Sequence, residues 1–170
     1  MTLAAVVPTT PPGLARRFAA FLYDGVLLFG VVFFSGFLYS VLTRQQHAMQ
    51  GRTGMAITLF LVLAAYFIGF WTRSGQTLAM KTWHLRVVTE DGQPLRWPQA
   101  TVRYLLSWLW FLPALASVSA FDLHGGGAII GCLLGGIAAY LLVARLHPQR
   151  QFLHDVICRT RVITQLPIRS

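Results

Sequence analysis

Residues Arg16–Leu42 read "RRFAAFLYDGVLLFGVVFFSGFLYSVL", two arginines followed by an apolar run that a single carboxylate, Asp24, interrupts. From Gly25 to Leu42 no residue is charged. A hydrocarbon layer about 30 Å thick takes about 20 helical residues to cross, and the run reaches that length when it is extended back through Phe18. In lipid only a helix or a closed barrel satisfies its own backbone, and the strict alternation of barrel strands is missing here. The stretch therefore predicts a membrane helix carrying an aspartate. Such a residue costs about 2.5 to 3.5 kcal/mol at a helix centre on insertion scales and less near the interface, so Asp24 is expected to face the interior of a bundle.

Two arginines before an apolar stretch also describe a secretory or twin-arginine signal. Asp24 breaks that stretch, no small-residue cleavage site closes it, and further apolar runs follow, so residues 18–42 are expected to be retained. Residues 1–13, with "PTTPPG" at Pro8–Gly13, read as a flexible lead-in.

The rest of the chain supports the membrane reading. Of its 170 residues 55% are hydrophobic and 11% charged, with a mean hydropathy of +0.59, against about 25% charged in an average soluble domain. Three more runs are long enough to span: Thr53–Thr72, Tyr104–Phe121 and Gly125–Ala144. The predicted fold class is an all-α membrane protein, one domain over residues 14–163, with four transmembrane helices at about 18–42, 53–72, 104–121 and 125–144. Pro113 should kink the third, and Asp122-Leu123-His124 should turn it tightly into the fourth. In the fourth, Gly127, Gly131, Gly135 and Ala139 recur every four residues, a spacing that lets helix backbones approach closely, within the bundle or between copies of the chain. No repeat is evident between the two halves.

The net charge of +9 does not point to nucleic acid, because the basic residues lie between apolar runs instead of gathering on a soluble face. They fix an orientation. With the N-terminus inside, twelve of the fourteen fall on the cytoplasmic side and only Arg44 and Arg52 outside, so the positive-inside rule places both termini in the cytoplasm. Cys132 and Cys158 fall at different depths and are not expected to pair. Five scattered histidines make no metal signature, no cofactor is expected, and no serine or cysteine nucleophile motif accompanies His154-Asp155, so the chain reads as a non-enzyme.

The loop at 73–103, "RSGQTLAMKTWHLRVVTEDGQPLRWPQATVR", is expected to be compact. Gly75–His84 suits a segment lying in the membrane interface, with Trp71, Trp83 and Trp97 at headgroup level. Leu85–Thr89 reads as a strand, Glu90–Gln93 as an Asp-Gly turn, and Pro94–Trp97 as the returning strand of a small hairpin. The tail, 145–170, contains "FLHDVICRTRVI" from Phe152 to Ile163, too short and too charged to span, and is expected to fold back on the cytoplasmic mouth of the bundle.

An arginine before the first span, an aspartate seven residues on, a "GQTL.MK...LRVV..DG.PL" loop and a terminal "HD....T.V" together resemble the RDD family of small prokaryotic membrane proteins. The resemblance runs over about Leu14 to Ile163. Carried over by position, the residues that name the family are Arg17, Asp24 and Asp155. Its loop motif falls on Gly75, Gln76, Thr77, Lys81, Leu85, Arg86, Val87, Val88, Asp91 and Gly92, followed by Arg103. Where the family has a glycine two residues after the threonine, this chain has Ala79. The resemblance implies a multi-pass protein of the bacterial cytoplasmic membrane, and transport, including cation/proton exchange, has been proposed for the family.

On a helix Arg17 and Asp24 lie within about 20° of one azimuth but about 10.5 Å apart along the axis. Arg17 can snorkel to the headgroups, so Asp24 needs another partner, and Arg103, Arg145, Arg159 and Arg161 are the candidates by depth. Two roles stay open. Arg17, Asp24 and Asp155 either form an ion or proton site at the cytoplasmic mouth or a polar clasp locking helix, loop and tail together. The first suggests a small proton-coupled ion or solute transporter acting as an oligomer. The second suggests an accessory protein that holds another membrane complex, or anionic lipid, on its basic face.

Overall fold

The computed structural model describes residues 12–44, 51–120, 125–146 and 152–165. Most of the lead-in, the turn at 122–124, and Arg150 and Arg169 of the tail lie outside the described residues. Two long helices come first, α1 (Leu14–Leu42) and α2 (Arg52–Arg73), followed by a five-residue helix α3 (Leu78–Thr82) and the strand β1 (Leu85–Thr89). Then come α4 (Trp97–Ser107), a 3-10 turn at Trp108–Trp110, α5 (Leu112–Ala120), α6 (Gly126–Leu146), α7 (Leu153–Ile157) and β2 (Thr160–Thr164).

Among the described residues three helices, α1, α2 and α6, are long and apolar enough to cross a membrane. Their apolar side chains point outward: Phe29, Phe33 and Phe37 of α1 are 60–72% exposed, as expected of a surface meant for lipid. Hydroxyls within α2 are satisfied locally, Thr58 and Thr72 donating to the carbonyls of Gly54 and Ile68 at 2.9 and 2.8 Å. The expected third span is not one helix. It is broken between α4 and α5, because Pro113 has no amide hydrogen for the carbonyl four residues earlier and the preceding turn tightens to 3-10. α5 packs on α6. Among the described residues a Cβ at Gly127, Gly131 or Gly135 of α6 would meet nothing within 4 Å, and Ala139 is exposed.

The expected hairpin is replaced by a longer-range pairing. The turn forms, with Gly92 at φ +78° and the Thr89 N–H donating to Gln93 O at 2.9 Å. Pro94 cannot extend a ladder, however, and Pro98 at the start of α4 commits Trp97 to a helix. β1 pairs instead with β2 of the tail, antiparallel, with Val87 opposite Val162. The tail thus does fold back onto the loop and helix ends. The principal core lies there, built from Ala20, Ile68, Trp71, Met80, Leu85, Val87, Tyr104 and Val162.

A repeat that the residues do not advertise is present in the fold. Each half runs helix, helix, five-residue helix, strand, with the first helix of the second half broken into α4 and α5. "LRVVT" of β1 and "TRVIT" of β2 are each preceded by a left-handed residue, His84 at φ 53° and Arg159 at φ 50°. Because Val87 faces Val162, its own counterpart, the ribbon has a local two-fold axis between the halves. The likeness lies in the order of the elements and, outside the strands, not in residue type.

Candidate functional site

The glycine–glutamine–threonine segment positions Asp24. α2 ends at Arg73, and Gly75 turns the chain back at φ +71° with its N–H on Phe70 O at 3.1 Å. A Cβ there would stand 2.8 Å from the Val87 carbonyl, so glycine is required both for the dihedral and for the close approach. Its own carbonyl accepts the Val87 N–H at 2.8 Å, and Gln76 Nε2 donates to Leu85 O at 2.6 Å, which fastens the segment along the free side of β1. Thr77 then caps α3, accepting from the Met80 N–H at 3.2 Å, while its own hydroxyl donates to Asp24 Oδ2 at 2.6 Å. Tyr66, from the middle of α2, donates to Asp24 Oδ1 at 3.1 Å. Ala79 lies inside α3, fully buried and outside the left-handed region, so the alanine fits where the family has glycine.

Among the described residues Asp24 makes no ion pair; Arg103, Arg145, Arg159 and Arg161 do not bond it. Arg103 belongs to the other carboxylate. From α4 its Nε and Nη2 donate to Asp155 Oδ1 at 3.1 and 2.6 Å, with the guanidinium 4.2 Å over the Trp71 ring. Asp155 is completely buried, and Thr160 Oγ1 donates to its carbonyl oxygen at 3.3 Å. Its Oδ2 has no hydrogen-bond partner among the described residues. Arg17 reaches from α1 to the Val162 carbonyl at 3.4 Å and feels the charge of Asp155.

His154 closes this cluster. The Tyr140 hydroxyl oxygen accepts the His154 backbone N–H at 3.3 Å and lies 2.9 Å from Nδ1. Nε2 lies 3.4 Å from Asp155 Oδ1. Burial pushes the His154 pKa down to about 4, against the pull of Asp155. Burial acts upward on Asp155, yet Arg103, His154 and Arg17 outweigh it and hold that carboxyl below the usual range.

Both groups border one cavity of about 490 Å³. Arg17, Asp24, Thr77, Arg103 and His154 contribute its polar margin, and the walls are apolar and aromatic. Residues of both halves line it. Of the motif residues, Lys81 and Asp91 stay exposed and take no part, Gly92 serves the turn, and Arg86 reaches Gln165 at 3.4 Å. Tyr66, Tyr140, His154 and Trp71 were not singled out as site residues from the sequence. Tyr66, a lone phenol amid the apolar residues of its span, was a signal available to find.

One prediction follows from the double use of Thr77. Thr77→Val keeps the shape but loses both the cap and the bond to Asp24, so it should destabilise by about 2 to 3 kcal/mol, whereas Thr77→Ser should retain most of the stability. Unfolding in detergent micelles measures both, and a valine variant as stable as wild type would remove Thr77 from this role.

The family model described as the RDD family matches residues 11–159, a range that includes Arg17, Asp24, the loop motif and Asp155. Among curated proteins and among solved structures no match is found.

Proposed function

The chain belongs to the RDD family, and from that premise we propose that it is a small membrane transporter that exchanges a cation for a proton at Asp24. The observation that carries this reading is a carboxylate beside a cavity, held by two neutral hydroxyls and, among the described residues, joined to no arginine. A group so placed can take up a proton or a cation in turn, whereas Asp155, locked to Arg103, cannot exchange its partner without breaking the fold. In this reading Asp24 is the site and Asp155 the clasp. The repeat supports the same reading, since transporters built from paired repeats bind substrate where the repeats meet.

In this reading α4, the 3-10 turn and α5 together make the third of four crossings, and both termini lie on the cytoplasmic side of the bacterial inner membrane. The outward glycine face of α6 suits contact with a second copy. The test is cation-driven collapse of a pH gradient in liposomes. Wild type should collapse it, and Asp24→Asn should fall to the rate of empty liposomes while keeping its expression and stability. A wild-type protein that collapses no gradient, and instead purifies with a fixed membrane partner, would favour the accessory role.

A further inference from the structure

The walls of the cavity say which kind of cation it takes. Phe67 meets Tyr104 at 6.2 Å and Trp71 at 5.2 Å, Tyr104 meets Trp108 at 6.2 Å, and Trp108 meets Phe111 at 6.0 Å. These rings line the space that Asp24 borders, and Phe21 lines it from α1. A bare metal ion has little use for such a site. Calcium, for instance, takes six to eight oxygen ligands, and among the described residues no group of three acidic, histidine or cysteine side chains could hold a metal. The volume of about 490 Å³ instead falls within the range of sites for drug-sized organic ligands. Aromatic faces attract a desolvated organic cation, and the carboxylate supplies its counter-charge.

The two guanidiniums on the cavity margin do not oppose this assignment. Arg103 is paired with Asp155, and Arg17 is drawn to the same carboxylate. With His154 neutral, Asp24 carrying either a proton or a bound monocation leaves the cavity with the same charge, so one can replace the other without electrostatic penalty.

We infer that the cation exchanged at Asp24 is a lipophilic, singly charged organic cation, seated between the carboxylate and the aromatic wall formed by Phe67, Tyr104 and Trp108. This rests on the exchange reading above and narrows its substrate class. One proton leaves Asp24 for each cation that arrives.

Tetraphenylphosphonium and its anionic isostere tetraphenylborate supply the test, titrated calorimetrically into the purified full chain in buffers of different ionisation enthalpy. Tetraphenylphosphonium should bind saturably with release of up to one proton, its Kd tightening by up to about tenfold per pH unit while Asp24 titrates. Phe67→Ala should weaken it by about two- to thirty-fold, the worth of one cation–π contact, and Asp24→Asn should abolish the pH dependence. The proton count on wild type decides the matter even if either variant folds poorly. Equal binding of tetraphenylborate, or binding without proton release, overturns the inference. In liposomes, sodium-driven proton movement that tetraphenylphosphonium neither replaces nor inhibits overturns it while leaving cation exchange intact. No exchange with any cation removes the underlying reading and this one together.

Discussion

Asp155→Ala should cost about 3 to 5 kcal/mol of stability, the usual loss when one member of a buried ion pair is removed and the other stays charged. The carboxylate is fully buried and takes both donors of the Arg103 fork, so its loss leaves a guanidinium stranded between Trp71 and the tail. It also removes a charge that favours the Arg17 guanidinium and loosens α4 from α7. Removing both charges is different: Arg103→Met with Asp155→Leu strands no ion and should recover most of the loss. Equilibrium unfolding in mixed micelles reads the pair of variants, and a single-variant loss below about 1 kcal/mol would show that the clasp holds little.

Acidification should weaken the protein in a window set by His154. Its folded pKa of about 4 lies below the ordinary value of 6.5, because burial disfavours the imidazolium. The unfolded chain therefore binds the proton first as pH falls. The stability associated with His154 is whole above about pH 6.5 and is lost on the way to about pH 4, in total about 3 kcal/mol. Asp155, whose carboxyl is held below its usual range, adds a further loss only at lower pH. His154→Phe keeps the stack with Tyr140 and Phe152 and should flatten the slope between pH 6.5 and 4. A protein that grows more stable across that interval would mean that His154 is protonated in the fold and paired with Asp155, the opposite of the state described here.

What was legible in the residues were the properties that a short window carries. Hydropathy marked α1, α2 and α6, and the Asp-Gly turn announced itself. The aspartate in the first helix was visible as an anomaly, and helix geometry removed Arg17 as its direct partner. Pairings between distant segments were not legible. Nothing in "LRVVT" states that its partner is "TRVIT", since two strands of this length are compatible with a local return or a distant one. Proline chemistry at residues 94 and 98 decides it, and its weight shows only once α4 is in place. Arg103 was a candidate for Asp24 on depth alone, yet depth along a helix does not give azimuth, and Arg103 turns toward Asp155. The Tyr66 bond to Asp24 depends on how α1 and α2 rotate against each other, which apolar composition leaves open.

The pairing of β1 with β2 also sets an order of assembly. Translation at about 5 to 20 residues per second leaves β1 without its partner for roughly 4 to 15 s while the second half is made. During that interval β1 exposes one bare edge, and neither the carbonyl of Val162 nor the carboxylate of Asp155 yet exists for Arg17 and Arg103. The helices can enter the bilayer early, but the cavity acquires its completed margin only when the last strand arrives. A ribosome that stops short of Thr160 releases an inserted protein that is still open.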